Sequence, residues 1–100
     1  MPESRSKKIA ANRIARKFKA EYIPGPGPDI KCPTCTIAVE SVETLPDASR
    51  KLSGYKGPVY VAVTRKADLY AAVEKYMHTT IGVMDNQGDI VKKSTRMKKD

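Results

Sequence analysis

The sequence lacks the features of a membrane protein, a secreted protein or a self-contained zinc domain. No apolar run approaches the roughly 20 residues of a membrane span, and no apolar segment follows the basic N-terminal residues as in a secretory signal. The 100 residues include two cysteines and one histidine, and a single CxxC supplies two of the four ligands that a structural zinc needs. We therefore expect a cytoplasmic protein without a membrane partner, and zinc is disfavoured as a cofactor.

Positive charge is abundant and unevenly placed. The net charge is +8, with +5 in residues 1–22, +4 in residues 91–100 and −1 in residues 23–90. Basic ends around a nearly neutral body favour a polyanionic partner, and nucleic acid is the simplest one. The alternative is a pair of solvated tails that only aid solubility.

The periodicity of apolar residues predicts a mixed α/β domain. Three helices are expected, over 5–22, 46–53 and 66–78. Five strands are expected, over 29–32, 36–44, 58–64, 80–84 and 89–93. This order predicts one domain over residues 1–93, with a mixed central sheet flanked by helices, and a flexible basic tail over residues 94–100.

Basic residues surround the polar face of the first helix and recur near the C-terminus. A helical face of this kind can follow several phosphates, although it is also compatible with an ordinary solvated surface. The predicted nucleic-acid contacts are Arg5, Lys8, Arg13, Arg16, Lys17, Lys92, Lys93 and Arg96.

Two acids occupy unusual positions for a metal-free core. Asp29 follows the helix-stopping segment PGPGP at residues 24–28, and Glu40 lies in a strand that is otherwise apolar. A hairpin at the CPTC segment can bring the two carboxylates within reach of one divalent ion. Mg²⁺ prefers such hard oxygen ligands and keeps several waters, through which it can act on a phosphodiester.

Three segments together resemble the PD-(D/E)XK nuclease superfamily, which includes restriction endonucleases and archaeal Holliday-junction resolvases. They are GPGPDI at 25–30, TIAVESVET at 36–44 and PVYVAVT at 58–64. The resemblance implies a restriction-endonuclease-like αβββαβ core, to which a C-terminal helix and β-hairpin are added. It also implies an endonuclease that depends on Mg²⁺ or Mn²⁺ and hydrolyses phosphodiesters in structured DNA rather than RNA. A nuclease domain of 100 residues has little surface with which to grip a duplex, so we expect a two-fold homodimer.

The resemblance assigns roles to individual acids. Asp29 matches the motif aspartate and a metal ligand, and Glu40 matches the acid on the next strand. Glu21 matches the helix acid that some resolvase-like members contribute to the metal.

The motif lysine is missing, because its position holds Val42. Lys31, which shares a strand face with Asp29, and Lys51, on the next helix, are candidate replacements. Glu43 is a further candidate catalytic acid, since an added serine in the strand predicts a bulge that re-aims one glutamate.

Other interpretations stay open at this point. Asp29 can simply cap a turn, and Glu40 or Glu43 can pair with a basic residue at a sheet edge. The chain can then be a non-catalytic nucleic-acid-binding module of the same fold. Cys32 and Cys35 are compatible with a structural turn, with a disulfide, or with a zinc that bridges two copies in an interaction protein. A thioredoxin-type redox site is the least favoured alternative, because it would place CxxC at a helix N-terminus and the residues that follow here predict a strand.

Overall fold

A five-stranded mixed sheet forms the centre of the protein. The computed structural model describes residues 5–25, 27–55 and 57–96. The strands, which lie side by side in chain order, are β1 (Ile30–Cys32), β2 (Cys35–Glu40), β3 (Val59–Val63), β4 (Gly82–Met84) and β5 (Ile90–Lys92). The three central strands are parallel, and β1 and β5 run antiparallel to their neighbours.

Three α-helices cover the two faces of the sheet: α1 (Arg5–Lys17), α2 (Asp47–Lys51) and α3 (Leu69–Tyr76). The buried stripe of α1 packs on one face, against residues that include Ile37 and Tyr60. The other face, which includes Val61, packs against α2 and α3. The all-apolar strand β3 is buried along its whole length, as expected for a strand covered on both sides. The predicted α/β class, with a mixed sheet flanked by helices, is confirmed.

The first helix is shorter than predicted. It ends at Lys17 and not at residue 22, and Lys19 follows with a φ of 55°. The amide of Ala20 donates to the carbonyl of Ala15, which closes the helix with a left-handed turn. Glu21 therefore lies beyond the helix that was expected to carry it.

The second strand is also shorter than predicted, because it ends at Glu40 and not at residue 44. A 3₁₀ helix follows over Val42–Thr44. The amide of Ser41 donates to Thr44 Oγ1, and the amide of Thr44 donates to the carbonyl of Ser41. These local bonds compete with strand pairing, which explains why the β-rich sequence does not continue as a strand.

The described part of the C-terminal segment packs on the domain. Ser94 is buried, and its hydroxyl donates to the carbonyl of Thr80. Residues 97–100 of the predicted tail lie outside the described residues. Among the residues described, no helix combines the length and the apolar character needed to cross a bilayer.

Candidate functional site

Two buried acids lie at one end of the β1–β2 hairpin. Asp29 directly precedes β1, and Glu40 is the last residue of β2. Ile30 pairs with Ile37, so the register brings Asp29 opposite Ala38, which is two residues from Glu40 on the same face of the sheet. Asp29 is 0% exposed and Glu40 is 1% exposed. The hairpin therefore brings both predicted metal ligands into the interior on one face.

Backbone hydrogen bonds hold Asp29 in place. Its amide donates to the carbonyl of Ile37, and its carbonyl accepts from the amide of Ile23. Its carboxylate Oδ2 accepts from the amide of Val39 at 2.8 Å. The side chain thus accepts a hydrogen bond from the backbone of β2. This bond fixes the direction in which the other carboxylate oxygen, Oδ1, points.

Lys51, the last residue of α2, reaches both acids. Its Nζ lies 2.9 Å from Glu40 Oε2 and 4.0 Å from Asp29 Oδ2, and its side chain is 9% exposed. Val42, which stands at the expected position of the lysine, is 39% exposed on the 3₁₀ helix. Of the two candidate lysines, Lys51 is therefore the one that the fold brings to the acids.

Lys7, in the first turn of α1, is a contact that sequence reasoning missed. Its Nζ lies 3.2 Å from Asp29 Oδ1, and its side chain is 21% exposed. A signal was present, because Lys7 precedes Ala10, Ala11 and Ile14 by three, four and seven residues. This spacing places Lys7 on the apolar stripe of α1, where an unpaired charge is not expected.

These four side chains, Asp29, Glu40, Lys7 and Lys51, are called the charge cluster below. Burial raises the pKa of Glu40, and the ion pair with Lys51 offsets only part of that effect. Burial by itself lowers the pKa of Lys51, but the contact with Glu40 and the charges of Glu40 and Asp29 outweigh it and leave this pKa raised. Lys51 therefore stays protonated, and two ammonium groups balance two carboxylates when all four are ionised.

The charge cluster has oxygens suited to a divalent cation. Asp29 Oδ1 and Glu40 Oε2 are buried and accept no well-oriented hydrogen bond from the described residues, although a lysine Nζ is close to each. Mg²⁺ is commonly held by one or two carboxylates, with waters and phosphate oxygens completing its shell. Within residues 5–25, 27–55 and 57–96, no group of three or more His, Cys, Asp and Glu side chains could hold a metal. Asp29 and Glu40 could thus supply two carboxylate ligands, and waters and phosphate oxygens would have to complete the shell of such an ion.

Three other predicted site residues do not join the charge cluster. Glu43 is exposed on the 3₁₀ helix, where hydrogen bonds from its own backbone amide and from the Ser41 side chain lower its pKa. Lys31 is exposed, with its Nζ 5.4 Å from the centre of the Tyr55 ring. Glu21 is exposed beyond the end of α1 and does not complete a three-ligand set. The assignment of Glu43 assumed a longer strand, and that of Glu21 a longer helix, than the fold contains. Lys31 lies on β1 as expected, but it does not reach the acids.

A basic groove runs along the exposed side of α1 and is called the α1 groove below. It is lined by the five predicted basic residues of this helix together with Ile9, Asn12 and Gln87. From Arg5 to Arg16 the helix rises about 17 Å, a length comparable to about five phosphates of one strand. Arg13 donates to the carbonyl of Asn86, and Lys17 pairs with Asp89 at 2.5 Å. The turn between β4 and β5 therefore closes one side of the groove.

Two of the three predicted C-terminal contacts use their donors inside the protein. Lys92 Nζ donates to the carbonyls of Thr79 and Ile81. The Arg96 guanidinium donates to the carbonyls of Leu52 and Tyr55. Lys93 is exposed. The α1 groove is thus the stronger candidate for a phosphate-binding surface.

The cysteines occupy the opposite end of the β1–β2 hairpin from the acids. Cys32 and Cys35 pair directly across the strands and flank the two-residue turn formed by Pro33 and Thr34. Both are free thiols. They lie on the α1 side of the sheet, away from the charge cluster.

The buried charge cluster and the exposed α1 groove are the two features of the described residues that point to a chemical role. Comparisons with family models, with curated proteins and with solved structures find no match for this chain. Function is therefore inferred from these two features.

Proposed function

We propose that this chain is a small DNA-binding endonuclease of the PD-(D/E)XK type, in which Lys51 replaces the missing motif lysine. The observation that carries the proposal is the contact of one lysine with two buried acids. Lys51 Nζ lies 2.9 Å from Glu40 Oε2 and 4.0 Å from Asp29 Oδ2. Two carboxylates can hold a divalent cation, and a lysine beside them can stabilise the charge that develops on a phosphate.

The order of elements supports the finer fold assignment. Tyr22 forms an isolated antiparallel bridge with Ile30 on the free side of β1. When this bridge is counted as a short strand, the chain from α1 to β3 follows the order αβββαβ. The remaining elements, α3 and the β4–β5 hairpin, then correspond to the expected C-terminal additions.

Asp29 and Glu40 would hold the divalent cation, which supplies an activated water and charge stabilisation on the phosphate when bound. The chain itself sets the direction of the ligands. Because Asp29 Oδ2 accepts from the Val39 amide, Oδ1 is the oxygen that would hold the cation. Lys51, anchored at the end of α2, is placed to stabilise negative charge that develops on a phosphate beside the two acids.

Helix α1 connects the proposed binding surface with the proposed catalytic site. Lys7 on its inner side contacts Asp29, and Arg5 and Lys8, which flank that position, line the α1 groove. A DNA strand bound along the groove thus has one end close to the charge cluster. This arrangement separates phosphate binding from the acids, which alone would repel a polyanion.

A cleavage assay with variants tests the proposal. The full chain is incubated with Mg²⁺ or Mn²⁺ and with duplex, single-stranded and four-way junction DNA. We expect D29N and K51M to lose cleavage by about a hundredfold or more, with DNA binding retained in fluorescence anisotropy. The matched controls are E43Q and K31M, which change exposed residues outside the charge cluster and should cleave like the wild type. Cleavage that persists in D29N contradicts the assignment.

A second candidate function is a non-catalytic DNA-binding module of the same fold. The full burial of Asp29 and Glu40, and their balance by two lysines, favours it, because such a cluster needs no metal to neutralise it. The logarithm of the DNA-binding constant of such a module falls linearly with the logarithm of the salt concentration, with a slope set by the number of neutralised phosphates. The module cleaves none of the three DNA substrates. DNA binding that is insensitive to salt contradicts both functions.

A two-fold homodimer remains part of the proposal. One domain carries one charge cluster, whereas two copies related by a two-fold axis can address both strands of a duplex. Sedimentation velocity of the full chain, alone and with duplex DNA, measures this directly. A complex with one protein chain per duplex contradicts it.

A further inference from the structure

The two thiols at the tip of the β1–β2 hairpin are in direct contact. Cys32 ends β1 and Cys35 begins β2, and the two residues are paired in the antiparallel register. Their Sγ atoms are 2.8 Å apart, and Cys32 Sγ also lies 2.9 Å from the carbonyl oxygen of Cys35. Both side chains therefore point to the same side of the hairpin and toward each other.

This geometry suits a sulfur–sulfur bond better than a metal. Directly opposed residues of antiparallel strands have Cα atoms about 4.5–5.5 Å apart, within the range of about 4.4–6.8 Å that a disulfide spans. Two thiolates on one tetrahedral zinc, each with a Zn–S bond of about 2.3 Å, lie about 3.8 Å apart. The observed contact of 2.8 Å is closer than that. Among the described residues, no third His, Cys, Asp or Glu joins the two thiols.

We propose that Cys32 and Cys35 form a reversible two-electron redox site, which a low-molecular-weight disulfide oxidises to an intramolecular disulfide. The Cys32 thiolate attacks one sulfur of the small disulfide, whose S–S bond breaks and releases one small thiolate. The sulfur of Cys35 then attacks Cys32 Sγ, and the second small thiolate leaves. The two thiol protons pass through solvent to the leaving thiolates. The chain loses two hydrogens and two electrons, and the small disulfide becomes two thiols.

The surroundings of the thiols set their order of reaction. Cys35 is 8% exposed, and its burial, together with the contact from Cys32, raises its pKa to about 12. Cys32 is half-buried and is the thiol that an external disulfide can reach. Cys32 therefore reacts first and Cys35 resolves the mixed disulfide, a step that becomes faster as pH rises. This order does not depend on the proposed nuclease activity.

The experiment uses the reduced full chain and glutathione disulfide. After incubation at pH 8, remaining thiols are alkylated and the intact mass is measured. We expect the mass of the wild type to fall by two hydrogens, with no alkyl group added and no cross-linked dimer formed. Incubation with excess reduced glutathione should then restore both thiols. C35S should stop at a mixed disulfide with one glutathione, whereas C32S should form no adduct under the same conditions.

Several outcomes overturn the proposal. If the wild type still takes up two alkyl groups after incubation with glutathione disulfide, the two thiols do not react. A disulfide-linked dimer would show that the bond forms between two chains and not within one. Half an equivalent of zinc per reduced chain, lost on treatment with a chelator, identifies a metal bridge between copies. Because the mass and the zinc content of the wild type decide these outcomes, the test holds even where a serine variant fails to fold.

Discussion

Lys51 on helix α2 contacts Glu40 at the end of strand β2, with 2.9 Å between Nζ and Oε2. The two residues are linked through the 3₁₀ helix over Val42–Thr44, which turns the chain away from the sheet directly after Glu40. A lysine two residues beyond the acid would have required the strand to continue. The fold instead brings in a lysine eleven residues later, from a separate element that packs over the same face.

The first prediction concerns the stability of this ion pair. K51M should lower the free energy of unfolding by about 3 kcal/mol, because it leaves a buried carboxylate without its partner. The double variant E40L/K51M should recover most of that loss, since it removes both charges and keeps apolar volume. Urea unfolding measures both values. K31M is the control, and it should change stability by less than about 0.5 kcal/mol. Equal losses in the single and double variants would show that Lys51 acts through packing alone.

The second prediction concerns Lys7 as a competitor for the metal. K7M should tighten Mn²⁺ binding by about tenfold, because it removes an ammonium group and leaves the cluster with net negative charge. The ammonium lies 3.2 Å from Asp29 Oδ1, the proposed coordinating oxygen. Titration calorimetry in the absence of DNA measures the affinity. K8M changes the exposed neighbouring lysine and should leave Mn²⁺ affinity unchanged. Weaker binding in K7M than in the wild type contradicts this role.

The third prediction concerns Asp89, which holds Lys17 in an ion pair at the side of the α1 groove. D89N should raise DNA affinity about threefold and steepen the log–log salt dependence by about 0.9, because it frees one lysine for a phosphate. The control D47N makes the same change in net charge on helix α2. Fluorescence anisotropy over a salt series measures both quantities. Equal effects of the two variants would indicate a response to net charge alone.

The same ion pair predicts a dependence of stability on pH. The contact with Lys17 lowers the pKa of Asp89 from its ordinary value of 3.8. A carboxyl group whose folded pKa is lowered contributes stability above its unfolded pKa, and this contribution is lost as pH falls through the folded value. The free energy of unfolding of the wild type should therefore fall more steeply below about pH 4 than that of D89N. Parallel acid titrations followed by circular dichroism compare the two.

The sequence was informative where a pattern is local. A continuous apolar run predicted β3, and helical spacing predicted the buried stripe of α1. The need of Glu40 for a partner also followed from its setting, since charged residues in apolar strands are rarely left unpaired. What the pattern did not determine was the end of β2, where the bonds between Ser41 and Thr44 override β propensity.

The partners of the two acids could not be derived from spacing alone. Lys51 and Lys7 come from helices on opposite faces of the sheet, and their approach depends on where each helix begins and how it packs. Lys31 satisfied the local rule of strand alternation, but the ion pairs of Asp29 within the described part of the chain are with Lys51 and Lys7. The two acids of the charge cluster could therefore be identified from local sequence, whereas its two lysines are determined by tertiary packing.

The last prediction concerns Gly82, the first residue of β4. A Cβ atom there would lie 2.4 Å from Tyr60 Cε1 and 2.6 Å from both the carbonyl oxygen of Lys92 and the amide nitrogen of Ser94. Two of these three atoms are backbone, which cannot move aside without shifting β5 or the segment that follows it. G82A should therefore lower the free energy of unfolding by about 2–3 kcal/mol.

Gly27 provides the matched control, because no atom lies within 4 Å of its added Cβ. G27A should match or slightly exceed the wild type in urea unfolding, since alanine restricts the unfolded chain. Wild-type stability in G82A would mean that β4 and β5 pack less closely than the structure shows.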